Sequence, residues 1–206
     1  MVCVFVKVCG LRDIASAQVA VQAGADAVGV VISPKSPRHV SEEQAALVAS
    51  SVPSHVTTVL VTAELEAAEA AATAARIGVS VLQLHGRYTP DEFAAARAVF
   101  PRLWRATSLE RDTPLEVGAW GEEFLLLDAP KPGSGERWDL TPLIARRPEG
   151  RWLLAGGLTP TNVAEAIATA RPYGVDVSSG VESSPGVKDP ALISAFVSAA
   201  KAGMRG

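Results

Sequence analysis

Several chemically active side chains stand where short apolar runs stop. VFVKVC (4–9) ends on Cys9 before Gly10, SVLQLH (80–85) ends on His85, and EFLLLD (123–128) ends on Asp128. Three leucines followed by an acid is an odd place for a structural carboxylate. Burial there raises a carboxyl pKa and keeps the group protonated for use as a general acid. SPKSPRHV (33–40) follows the run AVGVVI. Its prolines stiffen the loop and present Arg38 with little freedom, and a guanidinium can grip a planar carboxylate with two parallel hydrogen bonds. The plain alternative is a surface arginine in a turn. His39 and His55 fall in loops without visible partners, and a lone histidine such as His85 is more often structural than catalytic.

Two glycine-bearing turns point to an anion. They are LLAGGLTP (153–160) and DVSSGVE (176–182). Glycine lets backbone N–H groups approach a phosphate closely, which nominates Gly156, Gly157, Ser179 and Gly180. Each turn alone is weak evidence; the pair at the ends of consecutive strands is stronger.

The cysteines do not explain each other. Cys3 and Cys9 lie six residues apart on one strand, about 20 Å, beyond disulfide reach. No Cys/His cluster suggests zinc. Cys3 reads as a small buried hydrophobe. Cys9, at a strand tip, is left open by that reading.

The elements that must position these groups are legible as an alternation. Strand candidates are 4–9, 27–32, 57–62, 80–85, 103–107, 123–128, 152–155 and 175–179, each rich in Val, Ile or Leu as suits strands covered on both faces. Helix candidates are 13–23, 41–51, 64–76, 89–99, 159–171 and 189–202, with weaker ones at TPLEVGAW (113–120) and 139–147. SEEQ and TPDE carry capping signals. Eight alternating βα units predict a parallel sheet closed into a compact (β/α)8 barrel spanning 1–206 as one domain. The rival, an open doubly wound sheet, lacks a GxGxxG turn after its first strand. In a closed barrel the strand ends gather at one mouth, and the first and eighth strands are neighbours. Lys7 shares a face with Cys9 by alternation. A buried lysine needs a partner, and Asp176 is the candidate.

The composition agrees with a globular chain. It has 206 residues, 48% of them hydrophobic and 20% charged, with a net charge of −3. That balance gives no electrostatic case for nucleic acid or an anionic membrane. No run approaches the ~20 apolar residues of a membrane span, and MVCVFVKVCG reads as a strand rather than a signal peptide, which predicts the cytoplasm. The lack of an exposed apolar stripe predicts a monomer.

Taken in order, KVCG (7–10), GADAVG (24–29), SPKSPRHV (33–40), LQLHG (82–86), LLLD (125–128), AGGLTPTNV (155–163) and GVDVSSGVESSPGVKD (174–189) resemble the phosphoribosylanthranilate isomerases of tryptophan biosynthesis. The resemblance is colinear over nearly the whole chain. It implies a (β/α)8 barrel with no metal or organic cofactor and a small phosphorylated substrate. The reaction it implies is the Amadori rearrangement of N-(5-phosphoribosyl)anthranilate to 1-(2-carboxyphenylamino)-1-deoxyribulose 5-phosphate. Carried onto the matching positions, it implies Cys9 as general base and Asp128 as general acid. Arg38 would hold the anthranilate carboxylate and the two glycine turns the phosphate, with His85 lining the mouth. A thiolate at Cys9 would be favoured if Lys7 and the following helix lowered its pKa.

The sequence departs from the family pattern in three places. The loop after strand six usually reads GGTG with a following Phe-Asp; here it is PKPGSGERWDL (130–140), with Pro132 in place of the first glycine. VTAELEAA lacks the aromatic and Asn that often follow strand three, and Ser16 stands where an Asp is common. Three other functions compete. The related histidine-pathway isomerase, or a dual-substrate version, uses an aspartate where Cys9 stands and needs a second phosphate site. A phosphosugar epimerase would use paired acids or a metal. A non-catalytic phosphosugar-binding barrel would not need both Cys9 and Asp128.

Overall fold

The computed structural model describes residues 4–129 and 139–202. Cys3 and the Pro132 and 133–135 departures lie outside the described residues. Eight parallel strands close into a barrel in chain order. They are β1 (Phe5–Val8), β2 (Ala27–Val31), β3 (Thr57–Thr62), β4 (Val81–Leu84), β5 (Leu103–Thr107), β6 (Phe124–Leu127), β7 (Trp152–Leu154) and β8 (Gly174–Val177). β8 pairs with β1, setting Lys7 opposite Asp176. The architecture is therefore the (β/α)8 barrel expected, and the open sheet is excluded.

Alternation divides each strand between two cores. Ala27, Val31, Val59, Val61, Val81, Trp104, Leu126 and Leu153 fill the barrel interior together with Cys9. Val6, Val8, Val28, Leu60, Leu82, Leu125 and Leu154 face outward into the layer packed by the helices. At the N-terminal end the interior is plugged by aromatic rings. Trp104 and Phe124 lie 4.8 Å apart between centroids, and Phe5 sits 5.5 Å from Phe124. Such contacts close the floor away from the mouth.

The helices are α1 (Ile14–Gln22), α2 (Glu42–Ser50), α3 (Ala67–Ile77), α4 (Pro90–Val99), α5 (Pro142–Ala145), α6 (Val163–Ala170) and α7 (Pro190–Ala202). Their starts follow the sequence signals. Ser41 with Gln44 and Thr89 with Glu92 form reciprocal capping boxes, and Asp13 accepts from the Ser16 N–H at 2.8 Å. α3 starts three residues later than its candidate, because Glu64 turns away to accept from Ser33 Oγ at 2.5 Å. α6 starts four residues late, since Asn162 folds back to accept from the Thr159 N–H at 2.8 Å.

The fifth unit corrects the expected pattern, since TPLEVGAW forms no helix. Arg105 on the outer face of β5 is 1% exposed, and the following segment wraps around it. Its Nε donates to Glu122 at 2.7 Å, its Nη2 to the Pro114 carbonyl at 2.9 Å, and its guanidinium lies 4.6 Å over the Trp120 ring. A helix would turn those carbonyls onto its own amides. Left-handed Gly118 and Gly121 (φ 91° and 83°) break it further.

After β8 comes a short hairpin, β9 (Glu182–Ser184) with β10 (Val187–Lys188), in which Lys188 lies opposite Glu182.

Candidate active site

The strand ends meet around a cavity of about 430 Å³ at the barrel mouth. Cys9 from β1, Arg38 from the loop after β2, His85 from β4, Asp128 from β6 and Asp176 from β8 all line it. A recess beside it is lined by Asp128, Gly156, Gly157, Ser178 and Ser179. Of the sequence-nominated residues, only Gly180 lies off both surfaces. Its Cα is instead seated against the Leu158 carbonyl, so that a side chain there would separate the two glycine turns. Gly156 is needed for a different reason. Its φ is 86°, and a Cβ would come within 2.9 Å of Asp128 Oδ1.

Cys9 is held by its own N–H donating to the Val177 carbonyl at 2.8 Å. Its side chain points inward beside Lys7, into space left by Gly29. A Cβ on Gly29 would lie 2.9 Å from Cys9 Sγ and 3.3 Å from Lys7 Cε. The expectation of a lowered thiol pKa is corrected. Burial pushes Cys9 up, and the pull of the Lys7 ammonium does not overcome it.

Lys7 is fully buried and donates to Asp176 Oδ1 at 2.8 Å. Burial alone would pull its pKa down, but Asp176 and then Cys9 outweigh that and push it up to about 12. The lysine therefore stays charged inside the barrel, paired across the β1–β8 seam.

Asp128 is 7% exposed. Burial pushes its pKa up to about 6 against the Ala129 N–H, which donates to Oδ1 at 2.8 Å. His85 Nε2 stands 3.5 Å from Asp128 Oδ2. Burial pulls His85 down to about 4, so it faces the acid as neutral imidazole. His39 is structural: its Nδ1 accepts from the Ser33 N–H at 3.1 Å, closing the SPKSPR loop.

Arg38 does not wait with an empty fork. Its Nε and Nη2 donate to Glu182 Oε1 and Oε2 at 2.7 and 3.0 Å. Lys188 Nζ donates to the same Glu182 at 2.6 Å and to the Ser178 carbonyl at 2.8 Å. Sequence reasoning quoted the stretch holding Glu182 and Lys188 without giving either a role. The available signal was an acid and a lysine retained within the turn after β8.

Residues 6–199 match the family model described as N-(5'phosphoribosyl)anthranilate (PRA) isomerase. The chain belongs to the N-(5'-phosphoribosyl)anthranilate isomerase family. It is therefore an isomerase, carried on this family's barrel. The isomerase of Citrifermentans bemidjiense is 42% identical over 95% of this chain and 96% of its own. The crystal structure of TrpF from Jonesia denitrificans is 57% identical, with a TM-score of 0.90 over 97% of each chain. A second solved phosphoribosyl anthranilate isomerase, in complex with reduced 1-(o-carboxyphenylamino)-1-deoxyribulose 5-phosphate, is 32% identical. Its TM-score is 0.83, over 96% of this chain and 98% of that one.

Proposed function

We propose that the mouth cavity converts N-(5-phosphoribosyl)anthranilate to 1-(2-carboxyphenylamino)-1-deoxyribulose 5-phosphate, a step of tryptophan biosynthesis, with Asp128 as acid and Cys9 as base. One observation carries this reading: a raised-pKa carboxyl and an inward cysteine line one cavity from strands three places apart around the ring. Asp128 gives its proton to the furanose ring oxygen as the C1′–O bond breaks, leaving a Schiff base to the anthranilate nitrogen. The Cys9 thiolate takes the C2′ proton, and the electron pair moves into the C1′–C2′ bond to give an enolamine. Tautomerisation yields the ketone.

The other groups bind. The recess at Gly156, Gly157 and Ser179 suits the phosphate, with Gly180 holding the two turns together. Arg38 takes the anthranilate carboxylate. His85, neutral, lines the mouth beside Asp128 and transfers no proton. We further propose that the chain acts as a monomer in the cytoplasm. Among the described residues no helix is long and apolar enough to cross a membrane, and light scattering at working concentration tests the monomer.

The test generates the substrate in situ and follows loss of its fluorescence. Wild type is expected to consume it rapidly, and Cys9→Ser and Asp128→Asn to lose at least about a hundredfold. No consumption by fresh, reduced wild type sinks the proposal and directs the assay to the histidine-pathway substrate.

A further inference from the structure

We infer that Glu182 is a positioning residue that sets selectivity for the substrate's aromatic carboxylate by fixing which edge of Arg38 is offered to it, with Lys188 locking Glu182 in place. The inference rests on the reading that Arg38 receives that carboxylate. A guanidinium carries five N–H donors in a rigid planar fork. Glu182 takes the side-on pair, Nε–H and one Nη2–H. The end-on edge, Nη1 with the second Nη2 proton, is what an incoming carboxylate can use.

Neither partner has room to swing. The Arg38 stem crosses the end of β1, where a Cβ on Gly10 would lie 2.7 Å from its Cδ. The Glu182 side chain is 4% exposed, and that of Lys188 2%. Glu182 Oε1 receives both Arg38 Nε and Lys188 Nζ, while Lys188 is tied in turn to the Ser178 carbonyl and hydroxyl. The hairpin carrying them also abuts the arginine's loop, since Gly186 packs against the Pro37 carbonyl. Loop and hairpin thus form one clamp.

The charges explain why an internal carboxylate helps rather than competes. One anion stands between two cations, so the cluster keeps a net positive charge for a second carboxylate. Substrate does not have to displace Glu182, because the two carboxylates use different edges. Without Glu182 the guanidinium regains its torsional freedom and must be ordered by each substrate, a cost that appears in KM.

The experiment compares kcat/KM for N-(5-phosphoribosyl)anthranilate and for N-(5-phosphoribosyl)aniline, which lacks the carboxylate. It uses wild type, Arg38→Ala, Glu182→Gln and the double variant. The ratio is internal to each protein, so partial unfolding cancels. Wild type is expected to favour the carboxylate substrate by tenfold to about a hundredfold, as for hydrogen bonds to a charged group. Arg38→Ala should bring the ratio near one. Glu182→Gln should lower it at least about fivefold, through KM for the carboxylate substrate, and the double variant should fall no further than Arg38→Ala. If Arg38→Ala collapses the ratio and Glu182→Gln leaves it intact, the inference fails and the reading of Arg38 stands. If Arg38→Ala leaves the ratio intact, the reading of Arg38 fails and takes the inference with it.

Discussion

Two arginines, Arg38 half-buried at the mouth and Arg105 fully buried behind β5, are each paired with a glutamate, yet they do different work. Arg105 distributes its donors over the fold: to Glu122, to the Pro114 and Glu116 carbonyls, and over the Trp120 ring. It substitutes for the missing fifth helix by organising the loop that covers the strand. Arg38 commits one edge to Glu182 and sits on a cavity with the other groups of the site. A buried ion pair is thus not in itself a mark of function. What distinguishes the two is whether the surroundings are backbone carbonyls or a cavity shared with a cysteine and a raised-pKa carboxyl.

The sharpest way to break that contrast is to remove Arg105. Arg105→Met leaves Glu122, 4% exposed, without its cation. The expected cost is about 3–5 kcal/mol, as for a buried pair broken from one side. Urea denaturation reads it directly. The molecules that remain folded should keep wild-type kcat, because Arg105 lies outside the mouth cavity. A loss of kcat at unchanged stability would overturn the division between the two arginines.

The pH profile sharpens the other side of the comparison. Asp128 is raised to about 6 and Cys9 is raised further, above the ordinary thiol range. Catalysis needs the opposite distribution, a protonated Asp128 with a Cys9 thiolate. That form is a minor tautomer of Asp128 carboxylate with Cys9 thiol, so both carry the same total of protons. The sign follows from the proton count. Below pH about 6 both groups are protonated and activity falls; above the Cys9 pKa both are ionised and activity falls again. In between, kcat/KM is flat. From pH 7.5 to pH 4.5 it should drop about thirtyfold, the ratio given by one group of pKa about 6. Asp128→Asn should remove the break near pH 6 and leave a residual rate that climbs about tenfold per pH unit towards the Cys9 pKa, because the thiolate fraction alone then sets it. That break, retained unchanged in the variant, would be assigned to another group.

How much of this was legible in the sequence depended on the range of the interaction. Strands showed as continuous apolar runs because both faces are buried, and their ends named Cys9, His85 and Asp128 directly. Lys7 and Asp176, 169 residues apart, were also legible, because closure makes the first and eighth strands neighbours. Glu182 and Lys188 were not, since their roles depend on a hairpin folding back over the SPKSPR loop. Arg105 with Glu122 was missed because a buried arginine on an outer strand face has no sequence signature apart from its position. The helix expected at TPLEVGAW failed for the same reason, its carbonyls being claimed by that arginine.

Gly29 gives the smallest effect and tests whether room, as well as charge, separates the mouth from the rest of the barrel. It lies on β2 facing inward, where the strand reads as an unremarkable AVGVV. Its backbone is ordinary, so an alanine is not strained by its dihedral angles. The objection is space: the new methyl would stand 2.9 Å from Cys9 Sγ, closer than carbon and sulfur tolerate, and 3.3 Å from Lys7 Cε. Sulfur can give way by rotating about one bond, so the protein should fold with little change in denaturation midpoint. The displaced atom is the one that must meet the C2′ proton, and a shift of a few tenths of an ångström should cost about tenfold in kcat. Gly174→Ala is the contrasting change. There the methyl would meet the Phe5 carbonyl and, at 2.8 Å, Phe5 Cβ on the floor of the barrel, so the loss should fall on stability and leave kcat of the folded protein alone. If Gly29→Ala instead lowers stability and spares kcat, the glycine serves packing, and Cys9 has more freedom at the strand end than this geometry gives it.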